Sequence, residues 1–142
     1  MKKIYFACSI SGGRDHAHVY EDIVKIIKTS GAHVLCELFA DKTLKANIGP
    51  TPHLKEYDIW KNDVAWVKSA NAIIAEITQP SLGVGYEIGL ADELGIPILA
   101  LFDSTSERRP SPMIVGNPNV ALIKYTKVEE LSKPINDFLK EI

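Results

Sequence analysis

The chain of 142 residues contains only two cysteines, Cys8 and Cys36. That is too few for a disulfide framework, and at this length roughly two-thirds of the unfolded surface can be buried without covalent staples. A reducing, cytoplasmic setting is therefore expected. There is no excess charge of either sign: 16 basic residues oppose 18 acidic ones for a net charge of −2. The basic residues are scattered, so the electrostatic footprint of a polynucleotide binder is missing. No apolar run approaches the roughly 20 residues that cross a bilayer, so no membrane association is expected. The opening segment carries Lys2 and Lys3 but meets polar Ser9 and Ser11 too soon for the apolar core of a signal peptide. Internal repeats, low-complexity stretches and linkers are also absent, which points to one domain over 1–142. The four histidines lack metal-ligand spacing. His16 and His18, two apart, do not share a helix face, and His33 and His53 are isolated. Neither a metal nor a cofactor is expected.

What is present is an alternation. Apolar runs rich in β-branched and aromatic residues fall at 3–7, 33–39, 72–77, 97–102 and 120–125, and helical patterns at 14–30, 53–70, 86–94 and 128–142. Gly31 and Gly95 are placed to stop two helices, and Thr126 with Glu129 reads as a capping box for the last. Strands alternating with helices predict an α/β fold, a five-stranded parallel sheet with helices on both faces. Ligands bind such sheets beyond the carboxyl ends of the strands. The loops at 8–13, 40–52, 78–85 and 103–116 are therefore the ones to search.

The loop at 78–85 leads to Glu87, just beyond a buried strand and a glycine-rich turn. Read as a first-turn residue, Glu87 meets unpaired amides and the helix dipole, which favour an ionised carboxylate available as base or nucleophile. The same electrostatics make acids common in first turns, so an ordinary structural acid stays open. Asp63 falls inside an apolar helical stripe with Ile59, Trp60, Trp66, Val67 and Ala70. Desolvation there would raise its pKa toward a proton-donating range, and a protonated acid opposite an ionised one is what glycoside chemistry requires. A helix-edge aspartate bonded to a loop amide is the alternative. Tyr5, near the end of the first strand, either orients a carboxylate or packs in the core. Ser9, Ile10, Ser11, Gly12, Gly13 and Arg14 leave a strand and open a helix, so their amides, hydroxyls and guanidinium suit an anion, with phosphate the natural guest. The run is neither a dinucleotide fingerprint nor a P-loop. Ser81 belongs to a second loop meeting the first at the same sheet edge, as an anion ligand or as a cap. Cys8 reads as a structural thiol, and Trp60 and Trp66 as packing residues of which one could flank a ligand.

Three segments together resemble the 2′-deoxynucleoside 5′-phosphate N-hydrolases, within the nucleoside deoxyribosyltransferase superfamily. They are Tyr5-Phe6-Ala7-Cys8-Ser9-Ile10-Ser11-Gly12-Gly13-Arg14, then Asn62-Asp63-Val64-Ala65-Trp66, then the run from Glu76 to Gly89 through Thr78-Gln79-Pro80-Ser81. The resemblance implies a flavodoxin-like fold, a homodimer, no metal, and cleavage of the N-glycosidic bond of deoxynucleoside monophosphates. Carried over by position, Glu87 is the nucleophile, Asp63 its acid/base partner and Tyr5 the supporting hydroxyl. Ser9, Gly12, Gly13 and Ser81 match phosphate loops, and Ser111 matches a serine given to the neighbouring subunit's phosphate. Gly83 and Met113 complete the substrate-binding set. The hydrolases carry an arginine where this chain has Ser11, with Arg14 standing near to compensate. Base contacts are expected from the loop at 40–52 and around Ile10. A base-exchanging deoxyribosyltransferase and a non-catalytic nucleotide sensor are the alternatives.

Overall fold

The computed structural model describes residues 1–43 and 53–142. Five strands, β1 (Lys3–Ala7), β2 (His33–Val34), β3 (Ala72–Glu76), β4 (Ile98–Asp103) and β5 (Val120–Tyr125), form one parallel sheet in the order β2-β1-β3-β4-β5. This is the flavodoxin-like order, and its switch point lies between β1 and β3. β3 and β4 are buried throughout and β1 everywhere except Lys3, which is why they read as continuous apolar runs. The edge strand β5 is only partly covered.

Helices α1 (Tyr20–Thr29) and α5 (Ser132–Glu141) pack together on one face, α2 (Glu56–Ser69) and α3 (Leu82–Glu93) on the other. A short α4 (Pro112–Val115) precedes and contacts β5. α1 buries Tyr20, Ile23, Val24 and Ile27, and α3 buries Val84, Ile88 and Ala91. Each fully buried aliphatic of this kind contributes about 1.5–3 kcal/mol. Gly31 and Gly95 take φ of 87° and 69° directly after Ser30 and Leu94, the caps of α1 and α3, ending both helices as expected.

Several boundaries differ from the sequence reading, each for a physical reason. β2 stops at Val34 instead of reaching 39, because the chain tightens into a 3-10 turn at Glu37–Ala40. That turn is held by Cys8 Sγ and Arg14, both donating to the Phe39 carbonyl. α1 begins at Tyr20 after a 3-10 turn at Ala17–Val19, not at residue 14. In that tighter turn the His16 and His18 rings meet edge to face, 5.1 Å apart, although α-helical spacing would separate them. α3 begins at Leu82 instead of residue 86, with Ser81 Oγ capping the Val84 amide at 3.3 Å. At the C-terminal end Thr126 pairs with Glu130, not Glu129, through its amide and hydroxyl.

Candidate active site

Between α2 and α3 lies a cleft of about 330 Å³ whose lining includes Asp63 and Glu87 among apolar groups: Trp60, Val64, Val67, Leu82 and Leu90. The two carboxylates come from different helices, and a third element supplies their partner. Tyr5, 1 % exposed on β1, donates its hydroxyl to Glu87 Oε1 at 2.8 Å. Tyr5 is thus both a core aromatic and an orienting donor. Burial, together with the charge of Glu87, drives its phenol far up, so it remains a neutral donor.

Glu87 is the sixth residue of α3, one turn further from the helix start than its sequence placement suggested. The dipole fades within the first turn, so desolvation governs instead. Burial raises Glu87 to about 8, against the lowering effect of the Tyr5 hydrogen bond and with a further push from Asp63. The expectation of an acid held ionised by the helix end is corrected. Asp63 is raised to about 6 by burial, as its apolar surroundings implied. Burial thus favours the protonated form of both acids, more strongly for Glu87 than for Asp63. The stripe around Asp63 is less buried than its spacing predicted. Trp66 packs on Phe39 at 6.0 Å between ring centroids, but Ile59 and Trp60 are 41 % and 50 % exposed. Trp60 instead walls the cleft, where its Nε1–H donates to the Tyr86 hydroxyl at 3.2 Å.

The two strand-end loops meet as expected. Gln79 Nε2 donates to the Gly12 carbonyl at 2.9 Å, and a Cβ on Gly12 would lie 2.7 Å from the Pro80 carbonyl oxygen. Only glycine permits that approach. Gly13 has φ of 123°, again a glycine position. Ile10 is half-buried in this loop, while Ser11 and Gly12 are exposed. Ser9 is fully buried, and its hydroxyl donates to the Gly13 carbonyl at 2.7 Å. Arg14 is likewise turned to structure. Its guanidinium donates to the carbonyls of Ser9, Phe39 and Asp41 and stacks 5.2 Å from the Tyr20 ring centroid. Both side chains thus hold the loop together from within. Ser81 and Gly83 stand at the start of α3, where unpaired amides collect. Ser111 caps α4, accepting from the Met113 amide at 3.2 Å, and Met113 is 82 % exposed.

Both thiols are buried and unpaired, and burial lifts Cys8 to about 12 and Cys36 well above its usual range, so both are inert. Among the described residues no group of three His, Cys, Asp or Glu side chains is gathered to hold a metal ion. The expectation for the loop at 40–52 lies largely outside the described residues, at 44–52.

The sequence reading missed one cluster. Glu76, fully buried at the end of β3, accepts from the Thr78 amide at 2.6 Å and from the Tyr125 hydroxyl, and lies 3.2 Å from His16 Nε2. An acid closing an otherwise apolar strand was the available signal.

A parallel sheet with a carboxylate-lined cleft and two strand-end loops beside its switch point is an α/β ligand-binding architecture. The family model for nucleoside 2-deoxyribosyltransferase matches residues 4–137, and the chain belongs to that family. A protein of Syntrophotalea carbinolica bearing the provisional name 2′-deoxynucleoside 5′-phosphate N-hydrolase 1 is 35 % identical over 144 residues, 98 % of this chain and 95 % of its own. The 5-hydroxymethyl-dUMP N-hydrolase of Tetraodon nigroviridis is 38 % identical over 141 residues, 96 % of each chain. Among solved structures, the Clostridium botulinum CMP N-glycosidase BcmB shares the fold with a TM-score of 0.67 at 20 % identity, covering 96 % of this chain and 99 % of its own.

Proposed function

We propose that this chain hydrolyses the N-glycosidic bond of 2′-deoxynucleoside 5′-monophosphates, giving free nucleobase and 2-deoxyribose 5-phosphate. One observation carries the reading: a Tyr5-supported Glu87 shares an apolar cleft with Asp63. The names of the relatives point to the same bond in the same class of substrate.

In the first half-reaction ionised Glu87 attacks C1′ while the C1′–N bond breaks. The bonding pair leaves with the base, which takes a proton from Asp63. Asp63 then accepts a proton from water, whose oxygen displaces Glu87 from C1′. The pKa values suit this exchange, since Asp63 at about 6 can give and take a proton near neutrality. Glu87 at about 8 first gives up its proton to Asp63, which readies the acid and the nucleophile together, and the cationic character developing at the sugar favours that transfer. The start of α3, with the Ser81 hydroxyl and Gly83, and the exposed backbone of Ser11, Gly12 and Gly13 hold the 5′-phosphate.

The chain works as one catalytic domain in the cytoplasm, as a homodimer. The exposed apolar residues Leu82, Tyr86, Met113 and Val115 support that assembly. Ser111 and Met113 reach the neighbouring subunit's phosphate. Released base is to be measured for the four common deoxynucleoside monophosphates, their ribo-counterparts and the unphosphorylated nucleosides, with and without a second free base. Hydrolysis confined to deoxynucleotides supports the reading; base exchange without hydrolysis would make the chain a transferase. Glu87→Ala should bind nucleotide without turnover, and mass spectrometry of rapidly quenched wild type should find a deoxyribosyl phosphate adduct on Glu87. An active Glu87→Ala removes it as nucleophile.

A further inference from the structure

Behind the two loops, on the side away from the Glu87 cleft, four polar side chains from four segments converge. His16 Nε2 lies 3.2 Å from Glu76 Oε2, 3.4 Å from Asp103 Oδ2 and 3.2 Å from the Tyr125 hydroxyl. Tyr125 gives its own proton to Glu76, so its oxygen is left to accept from the imidazole. All three contacts thus call for one protonated Nε2. Nothing in the proposed chemistry uses them.

Their connections lead to the loops. His16 follows Gly13 by three residues, so it fixes the exit of the first loop. Glu76 also accepts from the Thr78 amide, and Thr78 Oγ1 accepts from the Asp103 amide at 2.9 Å, which ties the second loop to β4. Gln79 then closes the circuit on Gly12. The loops touch across a glycine with no room to spare, so a shift of a few tenths of an ångström at His16 changes the cradle they form.

We infer that His16 is a positioning residue: bridged to Glu76 and Asp103, it sets the spacing of the first loop against Ser81 and thereby the capture of the substrate's phosphate. The inference rests on the reading of these loops as the phosphate cradle. Burial alone would lower the His16 pKa, but the hydrogen bond and charge of Glu76, with the charge of Asp103, raise it. The clamp is therefore fully charged below the ordinary histidine range and weakens as pH climbs through the raised value. The other titratable groups around it are Tyr125, His18, Tyr20, whose ring lies 6.5 Å from the imidazole between centroids, and, on the same cleft, Asp15 and Arg108. Arg108 pairs with Asp15 at 3.5 Å.

The test is the ratio of KM for His16→Gln over wild type, followed from about pH 6 to pH 9 with a deoxynucleoside 5′-monophosphate as substrate. Near pH 6 the ratio should be about five- to tenfold, with kcat changed less than about threefold, and it should fall toward unity as the wild-type imidazole loses its proton. Asp103→Asn keeps the oxygen that caps Thr105 and should show the same trend more weakly, which covers a failure of His16→Gln to fold. His18→Gln should leave the ratio at one throughout. A ratio for His16→Gln that is flat with pH, or a loss carried by kcat, overturns the inference while leaving the hydrolase reading intact. Isothermal titration with the same nucleotide separates the two further. If wild type binds without hydrolysis, the variant's Kd should follow the same pH trend. If it neither binds nor hydrolyses, the cradle and this inference fall together.

Discussion

Replacing Tyr5 by Phe removes one hydroxyl whose hydrogen on Glu87 Oε1 counters the burial of that acid. Hydrogen bonds to charged groups contribute about 1.5–3 kcal/mol, and 1.36 kcal/mol is one pKa unit. Taking the lower figure, Glu87 moves from about 8 to roughly 9. At pH 7 the ionised fraction then falls from about one-tenth to about one-hundredth, a loss of roughly ninefold in kcat/KM. By about pH 9.5 both enzymes are mostly ionised and the difference shrinks below about 1.5-fold. The assay is base release at subsaturating deoxynucleotide from pH 6 to 9.5, with the acidic limb fitted for each enzyme. A deficit of the same size at every pH would refute the reasoning, because it would place Tyr5 in transition-state contact or in packing, not in control of the Glu87 proton.

The other outcomes follow from the same geometry. Asp63→Asn cannot pass a proton, so kcat should fall about 10²- to 10⁴-fold in steady-state turnover, with a smaller loss for nucleotides whose base departs easily without protonation. Glu87→Gln should stabilise the fold. An acid raised from its ordinary value to about 8 binds its proton more tightly folded than unfolded, so wild-type stability falls as pH rises across that window. Discounted by half for solvent screening, the gap should reach about 2 kcal/mol by pH 8 and vanish below about pH 4.5, as read by thermal melts. Ser81→Ala removes the α3 cap, costing about 1 kcal/mol, or about 3–4 °C in Tm, and should also raise KM for phosphorylated substrates alone. Gly12→Ala drives a Cβ to 2.7 Å from the Pro80 oxygen, so phosphate affinity should drop well before the fold is lost.

The elements that touched the sequence most directly were legible there. β1, β3 and β4 appear as apolar runs because burial on both faces leaves no polar alternation to blur them. Tyr5, Asp63 and Glu87 stood out in the sequence as candidates, and the structure gathers all three. Less legible was the α3 start. Gly83 and Gly85 look like a turn by propensity, but Ser81 caps a helix that runs through both, which moves Glu87 past the reach of the dipole. Ser9 and Arg14 showed the right chemical types for an anion site; Ser9 turns to the Gly13 carbonyl of its own loop, and Arg14 to carbonyls at Phe39 and Asp41 that only folding brings near. His16 has no partner at helical spacing; its partners are 60, 87 and 109 positions away, on β3, β4 and β5.

By itself the sequence determined the alternation of strands and helices, the glycines in the two strand-end loops, and the identity of the carboxylates and phenol available for chemistry. These depend on local pattern and composition, which a linear chain carries openly. Only the tertiary structure decided which of those groups is buried, which faces its neighbour, and where protons rest. Desolvation and long-range hydrogen bonds set the protonation of Glu87, Asp63 and His16, and both arise only when residues distant in the chain exclude water together.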